Sequence, residues 1–192
     1  MPTDTDLYDR DVKETKETTL VQAALNGDAD SFGRLCEQYY SAMVAIAYSR
    51  LRDRDLAEDT VQEAFFVAFR NLSKLKETNR FDRWLARICR NVAVDAAKQR
   101  TKNKPISIED FDCPSNDSDK RGDDVELVRD VVFSLPARLQ EVVYLRFYNR
   151  MSYQQISDIL GISEEAVNGR LRRAKKAIAK KLRRIASIEV KL

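Results

Sequence analysis

Apolar residues recur three and four positions apart over most of this chain, the spacing of helices that bury one face. The first eighteen or so residues lack that period, alternate charge with threonine and read as a disordered tail, Met1–Thr19. A short helix is expected over Leu20–Leu25, closed at Asn26-Gly27, where glycine supplies a left-handed cap. A longer one follows from about Asp30, with Phe32, Leu35, Tyr39, Met43 and Ile46 on its inward face. A third opens near Asp53–Asp55 and runs to about Leu72 on the stripe Leu56, Val61, Ala64, Phe65, Ala68 and Leu72. After the basic, polar stretch Ser73–Asn79, a fourth spans about Phe81–Arg100 with Trp84, Leu85, Ile88 and Val92 inward.

The period then disappears. Thr101–Asp124 is rich in turn formers and acids, Asp112-Cys113-Pro114-Ser115-Asn116-Asp117 among them, and reads as a linker between two domains. The pattern resumes with Val125, Leu127, Val128, Val131 and Val132, breaks at Ser134-Leu135-Pro136 with Pro at a first helical position, and continues through Val142, Val143, Leu145 and Phe147. The expected fold class is all-α: two small helical domains, residues 20–101 and 125–187, joined by a flexible linker at 102–124 and followed by a tail at 188–192. Composition agrees, since five Gly and four Pro in 192 residues leave little material for the tight turns of sheets.

One stretch carries a recognisable frame. Ser152 caps a helix whose inward residues are Ile156, Ile159 and Leu160; Gly161 permits a sharp turn; Ser163 caps the next helix, with Glu164 and Glu165 in its first turn. Val167, Leu171, Ala174 and Ile178 face inward on that second helix, and its outer face is polar and cationic. This is a helix-turn-helix, whose second helix fits a major groove about 12 Å wide. From Pro136 to Leu192 there are 13 Lys+Arg against 5 Asp+Glu, net +8, whereas Thr101–Leu135 carries 5 against 9, net −4. The C-terminal stretch Pro136–Leu192 therefore suits a polyanion. Ser163, Glu165, Asn168, Gly169 and Arg170, near the helix start, are placed at base edges, with Arg172, Arg173, Lys175 and Lys176 mostly at phosphates.

Other chemistry is thin. The absence of histidine removes the commonest general base and metal ligand, so an enzyme is not expected, nor a cofactor or metal. Cys36, Cys89 and Cys113 stand far apart with no Cys-x-x-Cys pair, which argues against a zinc site or disulfide framework and for a reducing, cytoplasmic setting. No run of about eighteen apolar residues occurs and the start is acidic and polar, so neither membrane insertion nor export is expected.

In the first domain, Asp55, Glu58, Asp59, Gln62 and Glu63 fall three and four apart and form an acidic and amide stripe opposite the apolar one, suited to a basic protein helix. The stretch Asp55-Leu56-Ala57-Glu58-Asp59-Thr60-Val61-Gln62-Glu63-Ala64-Phe65 resembles the polymerase-binding motif of bacterial RNA polymerase sigma factors. Phe81–Asp95 resembles that family's helix that opens and reads the −10 promoter element, and Ser134–Lys181 its −35-reading region. The resemblance covers roughly residues 20–182, and the lack of an extra middle domain points to the extracytoplasmic-function (ECF) group.

The resemblance implies a function without bond chemistry: binding core RNA polymerase through its largest and second-largest subunits, reading promoter DNA at −35 and −10, and capturing the melted non-template strand. Asp59, Gln62 and Glu63 match positions that grip the clamp helices of the largest subunit, Asn91 matches one that contacts a −10 base, and the Ser73–Arg80 loop matches one that holds a flipped base. Lys74, Lys76, Arg80, Arg83, Arg87 and Arg90 supply cations for the single strand, and Trp84 is read as core in preference to a base-stacking wedge. Asn168 and Gly169 stand where Lys and Ser are usual, which leaves the −35 sequence open. An anti-sigma factor is an expected partner. The acidic linker suits either a strand mimic in the polymerase channel or a solvated connection. Rival readings are a repressor that binds palindromic duplex alone, an enzyme with a DNA-binding module, and a degenerate sigma-like protein that no longer starts transcription.

Overall fold

The computed structural model describes residues 16–103 and 120–189, and every regular element among them is helical. Helix α1 covers 16–25 and ends in a turn at Gly27, whose φ of 98° needs a residue without Cβ. It begins a turn earlier than the apolar pattern predicts, so the expected tail stops short of residue 16. The reason is polar: the buried Tyr39 hydroxyl donates to Glu17 and fixes that turn. Residues 1–15 of the expected tail lie outside the described residues.

Helix α2, Ala29–Leu51, is capped by Asp28, whose carboxylate accepts from the Asp30 N–H at 3.1 Å and the Ser31 hydroxyl at 2.6 Å. Its predicted face, Phe32, Leu35, Tyr39, Met43 and Ile46, is buried throughout. Helix α3, Arg54–Arg70, starts at Asp53, which accepts from the Leu56 N–H at 3.1 Å, and buries Ala57, Thr60, Val61, Ala64 and Ala68. Two short 3₁₀ turns, Leu72–Lys74 and Thr78–Arg80, carry the chain into α4, Phe81–Asn103. Helices α2, α3 and α4 pack on one another around a knot of rings in which buried Phe81 lies 6.3 Å from Phe32, 5.9 Å from Tyr39 and 5.9 Å from Trp84. Trp84 is half-buried, in keeping with its apolar phase.

Helix α5, Lys120–Phe133, begins within the expected linker, of which residues 104–119 lie outside the described residues. Gln140 ties its end to α6, Ala137–Val143, by donating to the carbonyls of Phe133 at 2.9 Å and Leu135 at 2.6 Å. Pro136 caps α6, and the helix runs on as a π-helical turn, Tyr144–Tyr148. The apolar pattern carries Phe147 into the core, but the π turn buries Leu145, and Phe147, two positions on and so on the opposite side, is 57% exposed under the Lys175 ammonium, 5.7 Å from the ring centre. Helices α7, Tyr153–Leu160, and α8, Glu164–Glu189, complete the second half.

The two halves share one core. Val142, Leu145, Ile156, Ile159, Leu160, Val167 and Leu171 belong to the same apolar cluster as Leu35, Ile46, Phe81 and Leu85, while Leu135, Leu139 and Ala174 form a smaller cluster. Helix α7 rests on α4, and α6 with its π turn rests on α2.

Candidate nucleic-acid and protein interfaces

Along α3 the polar stripe is positioned by what lies behind it. With Ala57, Val61, Ala64 and Ala68 sealed inside, Asp55, Asp59, Gln62 and Glu63 are left exposed on the opposite side. Glu58 differs: half-buried, it accepts from Arg54 Nε at 3.0 Å, one turn back. Phe66, 55% exposed, continues the stripe one turn past Gln62 and Glu63 with the Arg70 guanidinium 5.6 Å from its ring. Sequence reading missed this phenyl because its neighbour Phe65 satisfies the inward period.

The expected −10 residues fall into two groups. Lys74, Lys76, Arg80, Arg87 and Asn91 are exposed; Lys74 donates to Asn71 Oδ1 at 2.6 Å, and Arg80 pairs with Glu77 at 2.9 Å. Arg83, also exposed, and half-buried Arg90 meet the second half of the molecule. The Arg83 side chain lies so near Gly161 that a Cβ there would sit 2.1 Å from Arg83 Nε. Arg90 Nε donates at 3.0 Å to Glu141 Oε1, an oxygen that also accepts from Arg50. The Glu141 side chain is 4% exposed, and its two partners come from α2 and α4. Neither Arg50 nor Glu141 stands out in the sequence, because their separation of 91 positions leaves no local signature.

The helix-turn-helix is built as its caps predict. The Ser152 hydroxyl accepts from the Gln155 N–H at 3.1 Å while Gln155 Oε1 accepts from the Ser152 N–H at 2.8 Å, a reciprocal cap. Gly161 turns the chain at φ 63°, and the Ser163 hydroxyl accepts from the Ala166 N–H at 3.2 Å. Glu165, in the first turn of α8, is held below the usual carboxylate range by its own N–H and the Ser163 hydroxyl. Val167, Leu171 and Ala174 are buried, so Ser163, Glu165, Asn168, Arg172, Arg173 and Lys176 are presented outward, with Gly169 and Arg170 half-exposed beside them. Arg173 Nε donates back to the Gly169 carbonyl at 3.1 Å.

Between the halves lies a cleft of about 550 Å³ lined by Tyr39, Asn79, Arg80 and Arg83 on one side and by Gln155, Asp158 and Ser163 on the other. The expected −10 loop and the start of the expected −35 helix thus face one space. Among the described residues, no group of three or more His, Cys, Asp or Glu is arranged to hold a metal, and no helix is long and apolar enough to cross a membrane.

Two family models match the chain in this order: sigma-70 region 2 over residues 35–103 and sigma-70, region 4 over residues 126–178. The chain belongs to the sigma-70 family, in its ECF group. Curated relatives include SigW, an ECF RNA polymerase sigma factor of Bacillus subtilis, 26% identical over 180 residues that cover 85% of this chain and 95% of the relative. BldN of Streptomyces coelicolor is 29% identical over 171 residues, 85% of this chain and 64% of the relative. The probable RNA polymerase sigma factor RfaY of Xanthomonas campestris pv. campestris is 30% identical over 169 residues, 83% of this chain and 42% of the relative. This sigma-70 family chain therefore spans less than two thirds of two of these relatives and nearly all of the other. Among solved structures, CnrH in complex with the cytosolic domain of CnrY has the same fold, with a TM-score of 0.62 at 24% identity over 87% of this chain and 97% of that one.

Proposed function

We propose that this chain binds core RNA polymerase and directs promoter-specific initiation of transcription. The observation that carries the reading is the presence, on one chain, of an exposed carboxylate and amide stripe on α3 within the region 2 match and a capped helix-turn-helix with a cationic outer face within the region 4 match. In this reading residues 20–101 dock on the polymerase's largest subunit through Asp55, Glu58, Asp59, Gln62 and Glu63, and 125–187 read the −35 element through α8. The second-largest subunit completes the contact.

The −10 strand runs over Lys74, Lys76, Arg80, Arg83, Arg87, Arg90 and Asn91. Opening the duplex costs a few kcal/mol per flipped base, which the loop 73–80 returns by stacking and hydrogen bonds, so binding alone drives melting. The chain itself makes and breaks no bond and needs neither nucleotide nor metal. CnrH is bound to CnrY in its solved complex, and a sigma factor of Bartonella quintana is bound to the anti-sigma factor NepR; an anti-sigma partner for this chain is part of the proposal.

The test is run-off transcription with bacterial core polymerase, the purified chain and a pool of randomised promoters, beside the variant with Asp59, Gln62 and Glu63 all changed to Ala. Specific initiation that the triple variant loses is the expected result, and it also delivers the promoter sequence. No initiation, together with tight binding of palindromic duplex by the chain alone, would overturn the proposal in favour of a free-standing repressor.

A further inference from the structure

We infer that Glu141 is a latch: its carboxylate holds the second half of the chain over the −10 face of α4, and the latch must open before the chain can span a promoter. This rests on the proposed function above and concerns the regulation of the same surfaces.

Distance makes the case first. The −10 and −35 elements are centred about 25 base pairs apart by name, about 85 Å of straight duplex at ~3.4 Å per base pair. Here Ser163, at the start of the −35 helix, lines the same cleft as Asn79, Arg80 and Arg83 of the −10 region. No duplex can be read at both elements from this arrangement, so the packed form is a resting form.

The residues that hold it closed are specific. Glu141 Oε1 is shared by Arg50 and by Arg90 Nε, the latter at 3.0 Å, and the carboxylate is almost fully withdrawn from water. An Arg that binds carboxylate uses the same donors as an Arg that binds phosphate. Glu141 thus occupies at Arg90 the place of a backbone phosphate of the −10 strand, while Arg87 and Asn91, its neighbours along α4, stay exposed. The Arg83 side chain also lies against the second half, in steric contact with the turn at Gly161. Around the latch, Arg52 donates to the Phe133 carbonyl and stacks on that ring at 5.3 Å, and Asn149 donates to the Ser41 hydroxyl.

The polymerase stripe on α3 takes no part in this closure: Asp55, Asp59, Gln62 and Glu63 are exposed. The closed chain can therefore meet the polymerase before it is able to meet both promoter elements, and docking supplies the free energy for opening. A ligand can shift such an equilibrium only by its differential affinity for the two states, which here comes from surfaces that only the open chain presents. Removing the carboxylate has the same direction, because Arg50 and Arg90 are then left as two like charges at a dry interface.

The experiment is small-angle X-ray scattering on the full chain at 0.15 M salt for wild type, Glu141→Gln and Arg50→Gln, with circular dichroism on each sample and run-off initiation at limiting core polymerase. Wild type is expected near the radius of gyration of a compact chain of this length, about 16 Å. Both variants should rise above about 20 Å with unchanged helicity, and initiation should increase several-fold as the competent fraction grows. Variants that keep the wild-type radius, or a wild type already as expanded as the variants, would overturn the latch. If Glu141→Gln loses helicity, Arg50→Gln on the other half decides alone; loss of helicity in both makes the triad a folding element and also overturns it. Expansion as expected with no initiation by any of the three chains leaves the latch standing and sinks the sigma-factor reading instead.

Discussion

Phe81→Ala should remove the residue on which the first half of the molecule is assembled. Phe81 is fully buried at the first position of α4 and its ring meets those of Phe32, Tyr39 and Trp84 at 6.3, 5.9 and 5.9 Å. A buried Phe→Ala change costs about 3–5 kcal/mol through lost transfer energy and the cavity left behind. Each ring pair adds about 0.5–1.5 kcal/mol beyond its area, which puts this site toward the upper end, about 4–5 kcal/mol. With a urea slope of about 2 kcal/mol/M, the midpoint should fall by about 2 M. Phe81→Leu keeps most of the volume and loses the ring pairing, so about 1–2 kcal/mol is expected. Trp84, the only tryptophan, reports the first half by fluorescence, and far-ultraviolet circular dichroism reports both halves. Because one apolar cluster runs through both, the two signals should move together. A loss below about 1 kcal/mol for Phe81→Ala would refute the argument that this ring organises α2, α3 and α4. Separate transitions for the two signals would refute the shared core.

Three further outcomes rest on local geometry. Ser152→Ala removes one side of the reciprocal cap with Gln155 and should cost about 1 kcal/mol by urea unfolding, with Ser152→Asp restoring most of it. Gly161→Ala meets two penalties, a Cβ at φ 63°, worth about 1–2 kcal/mol, and a collision with the Arg83 side chain; in an Arg83→Ala background only the first should remain, which a double-mutant cycle measures. The Tyr39 phenol is pushed well above its ordinary pKa, chiefly by burial and then by Glu17, so it stays neutral in the folded chain. A raised folded-state value makes its contribution fully present below the unfolded value of about 10 and lost as pH rises beyond it; stability followed from pH 8 to 11 should decline above about pH 10, and less steeply in Tyr39→Phe.

Much of this fold is legible in the chain because its signals are local. The three- and four-residue spacing of Phe32, Leu35, Tyr39, Met43 and Ile46 describes a face that is indeed buried, and Ser152, Gly161 and Ser163 mark caps that form where their types require. The outward faces of α3 and α8 emerge by subtraction, since whatever is not in the apolar stripe points away from it. Phe147 departs from its pattern because it falls within the π turn two positions after buried Leu145, on the opposite side of the helix, and a list of apolar residues does not reveal which of them the core takes. The early start of α1 also escapes, because Glu17 is fixed by Tyr39, 22 positions later.

Glu141 shows where such reading stops. Between Leu139 and Val142 it has the phase of a polar residue at the edge of an amphipathic helix, which by pattern belongs in water. Its side chain is instead 4% exposed, because α2 packs against α6 and Arg90 reaches over from α4, and the charge is balanced by Arg50 and Arg90, 91 and 51 positions away. A charge pattern identifies the polar face of a helix but not what that face meets: solvent, DNA or another part of the same chain. Under the proposed function the same ambiguity bears on α4: there Arg90 would be satisfied either by the Glu141 carboxylate or by a phosphate of a promoter strand, and the two are mutually exclusive at one guanidinium.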